Sequence, residues 1–272
     1  MIRVIFNQKG GVGKSSIAVN LAALSAEYGF RTLLIDLDAQ GNSSQYLLGE
    51  DYYSNERSIT DFFVQHLAFT LIPDPAVDFV SRTPYPDLDL VMADVDLAEI
   101  QQKLESKHKI FKLRDFISDL ADDYDAVYID TPPAFNFYTL SALIAADRCI
   151  IPFDCDDFSR RALYTLMENV AETRGDHNPG LRVEGIVVNQ FRSNANFPNQ
   201  IVNELREESL PVLNTMLSSS VKMRESHHAA VPLIHYAPSH KLTQEFMTLF
   251  EEINTEFLEP LNADGPEKQQ GH

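Results

Sequence analysis

The segment Lys9-Gly10-Gly11-Val12-Gly13-Lys14-Ser15-Ser16 concentrates glycines, two lysines and two hydroxyls in one short stretch. Glycines let successive backbone N–H groups turn inward on a single anion, and a helix opening just beyond them adds partial positive charge. Lys14 then stands where it reaches terminal phosphates, and Ser15 where its hydroxyl ligates magnesium. The spacing predicts a nucleoside triphosphate site, because a plain glycine turn between strand and helix gives no reason for Lys14-Ser15 at that offset. The usual spacing would put a glycine at position 8, where this chain has Gln8, and Lys9 is an added second lysine. In a simple loop a lysine there points away from its own nucleotide's γ-phosphate, yet it could cross a dimer interface to the phosphate on a partner.

Such a loop needs a strand before it and a helix after it, and the chain supplies both. Strand-length apolar runs alternate with longer segments of helical period. This is the pattern of an α/β fold with a mainly parallel twisted sheet and helices on both faces. Strands are expected at Arg3 to Asn7, Arg31 to Asp36, Leu88 to Met92, Ala126 to Ile129, Arg148 to Pro152 and Arg182 to Asn189. Helices are expected at Lys14 to Tyr28, Asp96 to Leu120, Ser159 to Arg174, Asn199 to Glu208 and Leu242 to Phe257. Ligands in such sheets bind at the carboxyl ends of strands, which singles out Asn7, Asp36, Asp130 and Asn189. Asp36 reads equally well as a carboxylate that supports the ligand-holding residues or as a strand-end cap, and Asn189 equally well as a ligand contact or a turn cap. Residues 49–87, interrupted by Pro73, Pro75, Pro84 and Pro86, read as an irregular insertion within one domain spanning 1–261. The polar stretch 262–272 reads as a disordered tail.

The formal net charge of −18 argues against a generally basic nucleic-acid coat, so any polyanion contact must be a local patch. Cys149 and Cys155 supply neither a disulfide framework nor a zinc spacing, and no run approaches the length of a membrane span. A cytoplasmic protein is the expectation.

The loop, with Lys9 at its start, resembles the deviant Walker A loop of the ParA/MinD family, in which that lysine acts in trans on the nucleotide of the other subunit. Asp36-Leu37-Asp38-Ala39-Gln40-Gly41-Asn42 and Asp130-Thr131-Pro132-Pro133 resemble the ParA branch in particular, with Ala39 where relatives carry proline. The resemblance implies ATP and Mg2+, with Asp38 positioning the attacking water and Asp130 holding magnesium through water. It also implies that Asn189, in Val187-Val188-Asn189, contacts adenine. It further implies an ATP-dependent homodimer that binds DNA non-specifically and releases it when a ParB-like or cargo-adaptor protein stimulates hydrolysis. Arg192 and Lys222-Met223-Arg224 resemble the family's DNA-contacting basic residues. The stretch Ser159 to Glu245 that carries them is neutral, with nine basic and nine acidic residues, so the negative charge lies elsewhere. The loop begins at Lys9, and operator binding by an N-terminal helix-turn-helix is not expected.

Three other readings share the phosphate loop. A nitrogenase-iron-protein reading needs cysteines that share a cluster across a dimer, whereas Cys149 and Cys155 flank one strand end. A MinD-like membrane positioner needs a basic amphipathic C-terminal helix, and the candidate at Leu249 to Phe257 is acidic. A metabolic P-loop enzyme, an amide ligase or small-molecule kinase, is the alternative of a different class. Lys9 and the Asp-x-Asp-x-Gln-Gly-Asn segment argue against it.

Overall fold

The computed structural model describes residues 1–258 except 55–56, 69, 156–158 and 193–195. Residues 262–272, read from sequence as a tail, lie outside the described residues. The strands are β1 (Ile2–Ile5), β2 (Thr32–Asp36), β3 (Ser81–Arg82), β4 (Leu88–Val91), β5 (Ala126–Asp130), β6 (Arg148–Asp154) and β7 (Arg182–Asn189). They form one sheet in the order β3-β4-β2-β5-β1-β6-β7. All pairings are parallel except the edge pair of β3 with β4.

Alternation along the strands sorts the apolar residues onto the two faces. Val4, Phe6, Leu33, Ile35 and Ile129 belong to one buried cluster, and Ile5, Leu34 and Tyr128 to the other. Because both faces are covered, the central strands read as continuous apolar runs, as parallel sheets require. The second face is covered by helix α1 (Lys14–Glu27), by α2 (Asn42–Leu48) and, late in the chain, by α11 (Lys241–Ile253). Between these last two come α9 (Val221–Ala229) and α10 (Leu233–Tyr236), which pack on α1 and α2. On the first face lie α3 (Ile59–Gln65), α4 (Leu97–Ser106), α5 (Lys112–Asp119), α6 (Phe137–Ala145), α7 (Ser159–Asp176) and α8 (Asn196–Glu207).

Two differences from the sequence expectation have physical causes. The single helix expected over Asp96 to Leu120 is two, α4 and α5. His108 takes a left-handed conformation (φ 54°), and Lys109 N–H bonds back to the Leu104 carbonyl, closing a Schellman-type end. The buried positions Leu97, Ile100 and Leu104 are therefore followed by Leu113, Phe116 and Ile117 half a turn out of phase. Helix α3 lies inside the proline-broken stretch 49–87. Ser58 caps it with an Asp61 capping box, and Phe62 and Phe63 are buried against the sheet face.

Candidate nucleotide site

The register places the carboxyl ends of β1, β2 and β5 level with one another, with Ile5 opposite Asp130 and Asp36 opposite Asp130. The phosphate loop leaves β1 at this edge. Asn7 anchors its start, donating from Nδ2 to the Pro152 carbonyl (2.6 Å) and accepting from Lys9 N–H (2.8 Å). At its end, Gly13 is the N-cap of α1 with φ 91°, and neither a capping side chain nor an acidic first-turn residue occupies the helix N-terminus. The first N–H groups of α1 are thus left for an anion, which is what a phosphate site needs.

Lys14 is 7% exposed and its Nζ donates to the Lys9 carbonyl across the loop (3.2 Å). Burial lowers its pKa, opposed by the negative charges of Asp130 and Asp38. That opposition shows both carboxylates to be electrostatic neighbours of the lysine. Asp38, 9% exposed, accepts from Gln40 N–H (3.0 Å), which fixes the carboxylate at the start of the turn leading to α2.

Asp36 is fully buried and accepts three hydrogen bonds, from Asp38 N–H (3.0 Å), Ser44 N–H (2.9 Å) and the Ser44 hydroxyl (2.8 Å). Burial and the nearby charge of Asp130 push its pKa up, against those bonds. Its contacts brace the segment after β2 as it folds into α2, and the charge of Asp130 also acts on it, so the cap contacts and the place beside the site carboxylate coincide in one residue. Asp130 is also fully buried. Burial raises its pKa, while the Ser15 and Ser43 hydroxyls and Lys14 oppose the rise. Ser43 donates to its Oδ2 (2.7 Å), whereas Oδ1 is buried with no hydrogen-bond partner. A buried carboxylate oxygen without a donor is costly unless a cation or its water completes it. With the Ser15 hydroxyl beside it, this donor set fits a magnesium ion held through water.

Asn189, at the end of β7, donates from Nδ2 to the Val12 carbonyl (2.8 Å), and Gln190 donates to the Gly11 carbonyl (3.0 Å). Asn189 therefore braces the phosphate loop directly, a contact that sequence alone did not suggest. Beyond the loop opens a cavity of about 610 Å³, lined among others by Gly13, Ser16, Asn189, Arg192, Arg224 and His227. Its size suits a nucleoside. Arg192 and Arg224 are exposed on this rim and make no ion pair among the described residues. Lys222 is different: its Nζ lies 2.6 Å from Glu225 Oε2 and over the Tyr236 ring. His227, which in sequence is one of two adjacent histidines with no carboxylate or cysteine at metal-ligand spacing, has its Nε2 2.8 Å from Ser16 Oγ. No local signal could have found it, because the partner is 211 residues away.

The profile of a family described as an AAA domain matches residues 1–183. The chromosome partitioning protein ParA of Myxococcus xanthus is 34% identical over 92% of this chain and 86% of its own length. Among solved structures, an ATP complex of a McdA variant from Cyanothece superposes with a TM-score of 0.79 at 19% identity, covering 93% of this chain and 96% of that one. Cobyrinic acid a,c-diamide synthase from Mycobacterium smegmatis with ADP and magnesium gives 0.73 at 25% identity, over 88% of this chain and 95% of that one. No helix among the described residues is long and apolar enough to cross a membrane. With the lysine-led loop, the aspartates at the ends of β2 and β5 and this similarity along nearly the whole chain, the protein belongs to the ParA/MinD superfamily of deviant Walker A ATPases.

Proposed function

We propose that the chain is a ParA-type switch. ATP joins two copies in a sandwich dimer, and Lys9 of each reaches the nucleotide of the other. The dimer binds DNA without sequence preference, and hydrolysis stimulated by a ParB-like or cargo-adaptor protein releases it. A plasmid, chromosome or protein complex is partitioned or positioned along the nucleoid by this cycle. The observation that carries the reading is the loop itself. Lys9 opens it, the buried Lys14 feels the negative charges of Asp130 and Asp38, and the N-terminus of α1 that Lys14 begins carries no side-chain cap.

Within one site we assign each residue a role that its position supports. Lys14 and the first N–H groups of α1 neutralise the phosphates. Ser15 and, through water, Asp130 hold Mg2+, which supplies charge neutralisation at the terminal phosphates when bound. Asp38 orients the attacking water. Asn189 spends its amide N–H on Val12, which leaves its carbonyl oxygen to accept from the adenine amino group. Gly10, Gly11, Val12, Gly13 and Ser16 complete the nucleotide contacts.

For DNA, Arg192 and Arg224 border the outer edge of the same cavity, and Lys222 lies on the helix that carries Arg224, so the nucleotide and the basic residues occupy adjoining surfaces. Glu225 already offsets Lys222, so Arg192 and Arg224 carry most of the attraction. Two subunits then supply about four uncompensated cations, and affinity falls steeply with salt through counterion release. The test is an anisotropy titration of a random duplex at low and moderate salt with ATP, ADP or no nucleotide. ATP-dependent, sequence-indifferent binding that Arg192→Glu or Arg224→Glu weakens while dimerisation persists is expected. Absent or ATP-independent binding by a dimerising protein defeats the DNA cycle. Turnover that depends on a small-molecule acceptor would favour the metabolic alternative, the class to which the structurally similar diamide synthase belongs.

A further inference from the structure

His227 stands where two pairs of helices remote from each other in sequence meet, α1 with α2 and α9 with α10. Its ring stacks on Tyr46 of α2, with centroids 3.8 Å apart and planes 24° apart, and its Nε2 lies 2.8 Å from Ser16 Oγ in the first turn of α1. Around it, Asn20 of α1 donates to the Ser16 carbonyl (2.8 Å) and accepts from Leu233 N–H of α10 (2.8 Å). The Tyr46 hydroxyl bonds the Ser226 hydroxyl of α9. Asn20, Tyr46 and Ser226 are each at most 1% exposed, so the network is locked by packing. The imidazole edge and Ser16 nevertheless both line the nucleotide cavity.

A serine hydroxyl has one proton and two acceptor sites, so what it offers a phosphate depends on its other partner. If the imidazole carries its proton on Nδ1, Ser16 must donate to Nε2 and its proton is used up. If the proton is on Nε2, the ring donates to Ser16 Oγ and the serine proton is free to turn into the cavity, where a phosphate oxygen is the stronger acceptor. Burial keeps the ring neutral, with its pKa down to about 4, so only these two tautomers compete at neutral pH. Ser16 lies one residue past Ser15 and, unlike Lys14 and Ser15, lines the nucleoside cavity, which places it at the nucleoside-proximal phosphate.

The geometry points to His227 as a positioning residue for the nucleotide: it donates from Nε2 to Ser16 Oγ and thereby aims the Ser16 hydroxyl at the nucleoside-proximal phosphate, which ATP and ADP both carry. This rests on the phosphate loop being the ATP site, which Lys14→Ala tests separately by abolishing nucleotide binding. Through this one bond α9, which also carries Lys222 and Arg224, is tied to the bound phosphate chain.

The experiment measures ATP and ADP affinity with fluorescent analogues, together with KM and kcat, in the full chain. His227→Phe keeps a ring on Tyr46 and loses the donor; His227→Gln places an amide N–H close to the Nε2 position. His227→Phe and Ser16→Ala are each expected to weaken ATP and ADP alike by about tenfold, the scale of one hydrogen bond to a charged group. The loss should fall on KM far more than on kcat. The double variant should lose no more than either single one, because both remove the same interaction, and His227→Gln should recover most of the affinity. Should His227→Phe unfold, His227→Asn, whose amide stops short of Ser16, takes its place. Wild-type affinity in the donor-less variant, additive losses in the double variant, a loss for ATP alone, or equal losses in the Phe and Gln variants would each overturn the assignment. If the wild-type protein binds no ATP, the site reading itself has failed.

Discussion

Replacing Gly13 by alanine tests the loop geometry with two separable costs. Gly13 has φ 91° and ψ 26°, a left-handed conformation that costs a residue with a Cβ about 1–2 kcal/mol. A Cβ built there would meet Asn189 Nδ2 at 2.2 Å, closer than any real contact, so the amide must swing away. That breaks its 2.8 Å bond to the Val12 carbonyl, worth about 1 kcal/mol. Gly13→Ala should therefore cost about 2–3 kcal/mol, read as a lower urea midpoint of the nucleotide-free protein or, if the loop yields locally, as roughly 30- to 150-fold weaker ATP binding. Its neighbours calibrate the result. A Cβ on Gly11, with φ 77°, meets nothing within 4 Å, so Gly11→Ala should show only the backbone cost. A Cβ on Gly10 would sit 4.0 Å from Pro133, an ordinary contact, so Gly10→Ala should leave the unliganded protein as stable as the parent. In an Asn189→Ala background the Gly13→Ala cost should shrink to about 1–2 kcal/mol. An unchanged cost in that background, or a Gly13→Ala protein matching wild type in both urea midpoint and ATP affinity, would refute the reasoning.

Lys9→Ala should retain nucleotide binding while failing to form a productive ATP dimer, and light scattering showing a wild-type dimer with unchanged turnover would contradict the trans role. Asp38→Ala should accumulate as an ATP-bound dimer with turnover reduced at least a hundredfold, as expected for lost water positioning, and a loss of ATP affinity instead would place Asp38 in ground-state binding. Far from the site, Glu184→Ala should destabilise the fold by about 3 kcal/mol in urea, because Arg3, 2% exposed, would keep its buried charge without the carboxylate now at 2.8 Å. Acid should also single out His227. Its folded pKa of about 4 lies below the ordinary 6.5, so between those values the unfolded chain holds the extra proton and stability falls as pH drops. At pH 5 that costs wild type at most about 2 kcal/mol relative to pH 7, a component that His227→Gln should lack.

The fold was legible where one local cause dominates. The central strands announce themselves as apolar runs because both faces of the sheet are buried, and α7 and α11 show one-sided period because each has a single buried face. Helix α6 was missed for the opposite reason. Phe137 to Ala145 is buried on nearly every side, so no polar face marks its period, and only Asn136, accepting from Tyr138 and Thr139 N–H, marks its start. Helix α2 was missed because what starts it is not local. Asp36, eight residues before Ser44 in the chain, accepts from the Ser44 backbone and hydroxyl, while Gly41 at the N-cap offers no side chain.

The same division runs through the site. Glycines, lysines and hydroxyls of the loop are consecutive, so their chemistry is written in spacing, and the aspartates at strand ends follow from the topology that puts β1, β2 and β5 side by side. Asn189 was found as a polar strand end, but its hold on Val12 depends on how β7 and the loop approach one another across 177 residues of chain. His227 carries the point furthest. In sequence it is one of two adjacent histidines without ligand spacing, yet α9 brings it to Ser16 while His228 remains exposed. Arg192 and Arg224, selected by resemblance as DNA contacts, prove to border the nucleotide cavity as well. Should the proposed DNA contact hold, nucleotide and duplex would meet neighbouring residues of one rim, and α9, which carries Arg224, is the helix that His227 joins to Ser16.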